Sequence, residues 1–233
     1  MKDQYFGDVN DFVKYGLLRQ LQALTGLRLG VAWYLTPSDG GPDGARRRYL
    51  TDPGTWRAFD PDLYDGLRRI GTDSVAQSVE SASTLNLLPG ARYFGQLVPG
   101  RRNRAEYLQS ALAALGNTDL VFLDPDNGIE PSSLGPSSAQ TEKYALWHEL
   151  QAFYSAGSSL LVYQHFPRVP RDAFVAAQSG RITERLGAAG ITVFVTAHVG
   201  FFLICQERHR PALEDGARRV HAKWGNRIRV HIP

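Results

Sequence analysis

The sequence predicts an α/β protein: a mainly parallel sheet with helices on both faces, closing in an antiparallel strand pair. Three observations carry this. Short apolar runs of strand length alternate with longer segments of helical periodicity, and the runs end abruptly in Gly, Pro, Asn or Asp. Two apolar runs near the C-terminus, over 191–197 and 201–205, are separated by a link too short to hold a helix, so they must be antiparallel neighbours. No repeat, linker or low-complexity stretch divides the chain. A single domain over 1–233 is therefore expected, with 45–71 standing out as an insertion or lid.

The chain opens with an aromatic helix. Asp8 or Asn10 can cap it, and Phe12, Leu17, Leu21 and Leu24 fall near one face. Tyr5, Phe6, Lys14 and Tyr15 add more aromatic and cationic character than packing alone requires. A buried strand follows over 27–35 and runs into Thr36-Pro37-Ser38-Asp39-Gly40-Gly41-Pro42-Asp43-Gly44. A strand leading into a glycine-rich, acidic loop is the layout of a nucleotide or cofactor loop, in which absent side chains let backbone N–H groups approach a ligand. The spacing matches neither G-x-G-x-x-G nor the phosphate loop. Through the next stretch Pro53, Gly54 and Pro61 interrupt short helical pieces that carry Trp56, Phe59, Leu63, Tyr64 and Leu67.

A helix is expected over 74–85, then a strand over 92–98 and a basic turn, Pro99-Gly100-Arg101-Arg102-Asn103-Arg104. The helix predicted over 105–115 turns Tyr107, Leu108, Leu112 and Leu115 inward. It leads to a strand over 118–123. Helices over 141–154 and 171–186 flank another strand over 158–163, and Val199-Gly200 links the last strand pair.

Composition bounds the function. With 233 residues, 43% hydrophobic and 11% aromatic, the chain can bury a sizeable core. Its single cysteine, Cys205, lies in an apolar run and reads as a core thiol; a disulfide framework and a multi-cysteine zinc site are excluded. The N-terminus has no apolar signal region, and no run approaches the roughly 18 residues that span a bilayer. A soluble cytoplasmic protein without a membrane partner is the expectation. The formal charge is only +3, but arginines cluster at 46–48, at 101–104 and through a tail from Arg208 to Arg229, where phosphates can be met.

The densest chemistry lies at Leu120-Val121-Phe122-Leu123-Asp124-Pro125-Asp126-Asn127-Gly128, where a buried strand delivers two carboxylates and an amide to a turn. A second strand end, Leu160-Leu161-Val162-Tyr163, leads into Gln164-His165-Phe166-Pro167-Arg168. If one right-handed crossover joins these strands, their ends face one crevice, and Asp124, Asp126, Asn127, Gln164 and His165 converge. Candidate catalytic residues are Asp124, Asp126, Asn127 and His165. His198 reads as an exposed turn residue and His148 as a packing or surface residue. Two chemistries suit the group: Asp124 and Asp126, with Asn127 or His165, can hold Mg²⁺ through hard oxygen ligands, or the Asp-Pro turn can grip an amino group while an aromatic holds its ring.

Asp8-Val9-Asn10-Asp11-Phe12-Val13-Lys14-Tyr15, with Tyr5 and Phe6 before it, resembles the N-terminal signature Gly-Asn-x-Ala-Asp-Val-Leu-Lys-His of bacterial 23S ribosomal RNA adenine-N6 methyltransferases. Leu123-Asp124-Pro125-Asp126-Asn127 is placed like the Asp-Pro-Pro-Tyr motif of that family. The resemblance implies a Rossmann-like fold of methyltransferase type and S-adenosylmethionine as cofactor, acting on a nucleic-acid base or nucleotide. It puts the cofactor against Asp39, Gly40, Gly41 and Gly44, with Asp43 an alternative to Asp39. It puts the substrate against Tyr5, Lys14 and Phe166, with Lys14 on the substrate or the cofactor side, and makes Asp124 the acceptor for the target amine. Two departures stand out: Asp126 replaces the second proline and Asn127 the aromatic, removing a base-stacking contribution of roughly 1–3 kcal/mol. Tyr163 or Phe166 is then the candidate to stack. Two other readings remain open at this level: a Mg²⁺-dependent hydrolase or nuclease using Asp124, Asp126 and His165, and a non-catalytic nucleic-acid-binding protein on the same fold.

Overall fold

A computed structural model describes residues 1–40, 46–72, 75–135, 138 and 140–232. Helix α1 (Val9–Thr25) starts where the Asp8 carboxylate accepts the Asn10 and Asp11 amides, and it ends at Gly26. Strand β1 (Leu29–Ala32) follows, then the short helices α2 (Pro53–Trp56), α3 (Pro61–Arg68) and α4 (Ser81–Thr84). Strand β2 (Arg92–Phe94), helix α5 (Arg104–Ala114) and strand β3 (Leu120–Leu123) complete the first half. The second half runs β4 (Gly128–Ile129), β5 (Tyr144–Ala145), α6 (Trp147–Ser155), β6 (Ser159–His165), α7 (Arg171–Leu186), β7 (Gly190–Val195), β8 (Val199–Cys205), α8 (Arg210–Trp224) and β9 (Arg229–His231).

Seven strands form one sheet in the order β2-β1-β3-β6-β8-β7-β9, and β4 and β5 make a separate two-stranded pair. The first four of the seven are mutually parallel; β8 is antiparallel to both β6 and β7. The α/β class, the mainly parallel sheet and the antiparallel pair are thus as expected. Alternate strand residues feed two cores. Val31, Phe122 and Leu161 join α1, α3 and α8 on one face, while Val121, Leu123, Leu160 and Val162 join α5, α6 and α7 on the other. Cys205 is fully buried, as predicted.

Residues 46–70 pack into the first core, where Tyr49, Leu63, Tyr64, Leu67 and Ile70 are buried. The Phe12 ring lies 5.4 Å from Tyr49 and 6.1 Å from Tyr64, and Phe59 stacks on Trp224 at 4.9 Å. No helix among the described residues is long and apolar enough to cross a membrane.

Several elements depart from expectation. Of the helix predicted over 74–85, whose first residue lies outside the described residues, only α4 forms over the described part: the Ser81 hydroxyl donates to Ala76 O, and the Val79 amide is taken by Asp3 Oδ1 at 2.9 Å. Such local side-chain bonds compete with a helix. The helix predicted from 141 begins only at Trp147, because Glu149 Oε2 accepts the Leu146 amide at 2.9 Å and β5 pairs with β4. His148 is consequently in the first turn of α6, where it is exposed. The turn between β7 and β8 is Thr196-Ala197-His198, organised by the Thr196 hydroxyl, and Val199-Gly200 already belongs to β8. Leu24 is 38% exposed rather than core. Helix α8 and strand β9 fill the tail that reads as a basic run. Leu213, Ala217, Val220 and Trp224 are buried against α1, and a Cβ at Gly16 would run into the Trp224 ring. Arg104 leaves the predicted basic cluster for the interior, where it is 1% exposed.

Candidate functional site

The sheet order reverses between β1 and β3: the chain leaves β1 for β2 on one side and returns to β3 on the other. Ligands of open α/β sheets bind beyond the carboxyl ends of the strands at such a switch point. The Asp124 turn sits there. The Asp124 amide donates to Ala32 O at 3.0 Å, tying the end of β3 to the end of β1.

Helix α1 supplies the cation. Asp11 and Lys14 share a face at i, i+3 spacing, and Lys14 Nζ lies 2.6 Å from Asp11 Oδ1 and 2.6 Å from Asp124 Oδ2. All three side chains are buried. The second Asp11 oxygen accepts the Gly7 amide at 2.7 Å. Burial pushes the Lys14 ammonium down, but the Asp11 and Asp124 carboxylates outweigh it and hold it well above its ordinary value. Burial likewise pushes the Asp11 carboxyl up to about 7 against the pull of Lys14. An acid whose folded value is raised from the ordinary 3.8 binds a proton that the unfolded chain releases. Its contribution to stability is therefore complete below about pH 4 and is lost as pH climbs through about 7. The expected result is a melting temperature that falls over this window by an amount Asp11→Asn reduces; a profile identical in the variant would refute the assignment.

Beside this triad is a second cation. The Met1 α-ammonium lies 2.7 Å from Asp126 Oδ1 and donates to Tyr34 O at 2.9 Å and Asp124 O at 3.1 Å. Asp126 Oδ2 accepts the Thr36 hydroxyl at 2.7 Å. The corner is an amine cradle: one carboxylate and two carbonyls aimed at one nitrogen. The remaining cavity, about 80 Å³, is lined by Tyr5, Asp8, Asn10 and Tyr163 besides these residues.

The turn splits the predicted cluster in two. Asp124 and Asp126 face Lys14 and Met1, whereas Asn127 and His165 line a different hollow with Gln164, Tyr144, Phe174 and Arg181. Gln164 is committed to structure: its Oε1 accepts the Ile129 amide at 3.0 Å and its Nε2 donates to Asn127 O and His165 O at 3.0 and 2.9 Å. Gly128, at φ 116, brings its backbone so close to the Gln164 carboxamide that a Cβ there would collide with it. His165 is exposed at the last position of β6. The Mg²⁺ set Asp124, Asp126 and His165 therefore does not share one pocket. Among the described residues no group of three or more His, Cys, Asp or Glu side chains is placed to hold a metal ion.

Of the substrate candidates, Tyr5 and Lys14 line the Asp124 cavity, but Phe166 does not. Phe166 packs edge-on to Phe174 at 6.0 Å, beneath Arg171 and against Gly200. Tyr163 is the aromatic on the Asp124 side. Of the cofactor candidates, Gly41 and Gly44 lie outside the described residues, as does Asp43. Gly40 is described at φ 67, and Asp39 is held by the Lys2 ammonium and by Gln4 Nε2 at 2.9 Å. Met1 and Asp11 carry site geometry that no candidate list contained. The i, i+3 pairing of Asp11 with Lys14 is a readable signal; nothing in the pattern marks Met1.

No known protein-family model matches the chain, and no curated protein matches it either.

Proposed function

We propose that the chain is a methyltransferase-type α/β enzyme whose acceptor is an amino group on a nucleic-acid base or nucleotide. The observation that carries this reading is the cradle at the switch point, where Asp126 Oδ1 and the carbonyls of Asp124 and Tyr34 already grip one nitrogen. The strand order supports it too, because an antiparallel strand inserted between the last two parallel positions is the methyltransferase variant of the Rossmann-like sheet. The Lys14 ammonium holds the Asp124 carboxylate in place at 2.6 Å, and Tyr163 and Tyr5 give the cavity aromatic walls.

The described residues fit the acceptor side of such a reaction and not the donor side. A cavity of about 80 Å³ takes an amino group but not S-adenosylmethionine, and both Asp39 oxygens are engaged by Lys2 and Gln4. For that cofactor to enter, Met1 and Lys2 must leave the crevice. Calorimetric titration with S-adenosylmethionine tests the reading: we expect weak binding by the native chain and tighter binding by Asp126→Asn, which loosens Met1. No heat and no thermal shift in either protein at millimolar ligand would remove the cofactor and, with it, the methyl-transfer reading.

A further inference from the structure

Three hollows neighbour one another through shared lining residues. The first, about 560 Å³, is lined by Arg46, Arg48 and Trp56. The second, about 500 Å³, is lined by Arg46, Arg168 and Arg171 together with His165 and His198. The third, about 300 Å³, is lined by His165, Arg181, Gln178 and Phe174. Arg46 lines the first two and His165 the last two, so the three hollows adjoin in a row as a segmented trough.

Its charge is concentrated. Five arginines, Arg46, Arg48, Arg168, Arg171 and Arg181, face one acid among the described lining residues, Asp52, on a chain whose formal charge is only +3. Asp52 itself is spent on the Thr55 amide as the cap of α2. None of the five belongs to an ion pair among the described residues, whereas Arg19, Arg28, Arg57, Arg101, Arg104 and Arg210 each have a carboxylate. Clustered guanidinium groups without counter-ions repel one another, and phosphate is the ligand whose geometry they match. At the wall of the third hollow Gln178, 3% exposed, has its Oε1 taken by Arg181 at 3.0 Å while its Nε2 is buried with no hydrogen-bond partner among the described residues.

We propose that this trough is a track for single-stranded nucleic acid, with phosphates on the arginines and one base in the third hollow beside Phe174. A row of arginines that ends in a hollow pairing Arg181 with Phe174 suits a strand whose bases can turn out and stack. A duplex keeps its bases stacked inward and has no use for that hollow. The track goes beyond the methyl-transfer reading, and binding is measured without any methyl donor, so failure of that chemistry leaves the track standing.

The test is fluorescence anisotropy of the whole chain with a labelled oligouridine of about 15 nucleotides, titrated between about 50 and about 200 mM salt. Five neutralised phosphates at about −0.7 each give an expected slope of log affinity against log salt near −3.5. The double variant Arg46→Ala with Arg168→Ala makes no change to any hydrogen bond of the described residues and is expected to flatten the slope by about 1.4. Arg218→Ala with Arg219→Ala removes the same charge from the exposed face of α8, where both pair with Asp215, and is expected to leave the slope unchanged. The proposal is overturned by absent binding at the lowest salt or by equal slopes in the two double variants. Equal competition by duplex RNA or by polyglutamate overturns it as well.

Discussion

Lys14→Met is expected to destabilise the protein by about 3–5 kcal/mol, because it strips the cation from two buried carboxylates at once. The Lys14 ammonium is the only cationic side chain within ion-pair distance of Asp11 and Asp124 among the described residues, at 2.6 Å from each. Hydrogen bonds do not replace it. Asp11 retains the Gly7 amide, but its other oxygen, and Asp124 Oδ2, would face apolar neighbours such as Tyr15 and Trp33, whose rings lie 5.2 and 5.8 Å from the ammonium. Chemical denaturation gives the loss directly. The triple variant Lys14→Met, Asp11→Asn, Asp124→Asn is expected to recover much of it, since removing a buried charge together with its partners costs far less than orphaning one of them. If Lys14→Met alone unfolds within about 1 kcal/mol of the native chain, the triad is not what closes α1 onto the end of β3.

That closure explains why so much of the site was legible and why part of it was not. A cap at Asp8 or Asn10 reads from residue type, with the structure choosing Asp8, and the run Leu120-Val121-Phe122-Leu123 followed by Asp-Pro reads as a strand end, because both are local rules that the fold obeys. Parallel pairing of β3 with β6 also follows from a single crossover. Adjacency of strands does not say which way each side chain of the turn points, however. Residues 124 and 126 turn toward α1 and residue 127 away from it, a choice made by Lys14 and Met1 from a distant part of the chain. The same limit hid α8. Its apolar residues recur at positions 213, 217, 220 and 224 with helical spacing, but seven basic residues between 208 and 229 mask a stripe whose meaning depends on Gly16 in α1. The break before α6 was invisible because it depends on Glu149, a good helix former, turning back to cap its own helix and to receive Arg104 from α5.

Glu149→Gln is the second large effect, again about 3–5 kcal/mol, and its consequence reaches the amine cradle. Both Glu149 oxygens are used: Oε1 accepts Arg104 Nε at 2.7 Å, and Oε2 accepts Arg104 Nη2 at 2.7 Å, the Leu146 amide at 2.9 Å and the Tyr34 hydroxyl at 3.1 Å. A neutral amide cannot accept at both ends, so an Arg104 guanidinium 1% exposed loses its counter-charge. Replacing both partners, Arg104→Met with Glu149→Leu, removes the orphaned charge but still leaves the Leu146 amide and Tyr34 hydroxyl unpaired, so a residual loss of about 1–3 kcal/mol is expected. Tyr34 is the link to the crevice. It sits at φ 47, a conformation costing a non-glycine residue about 1–3 kcal/mol, and its carbonyl accepts from the Met1 ammonium at 2.9 Å. The bond from its hydroxyl to Glu149 helps hold that backbone in place. Acylation of the Met1 α-amine at mildly alkaline pH reads the effect: labelling is expected to be faster in Glu149→Gln than in the native chain under conditions where both remain folded. Equal protection in the two proteins would mean that the cradle holds Tyr34 without this brace, and that the buried Arg104–Glu149 pair serves only to tie the start of α5 to the start of α6.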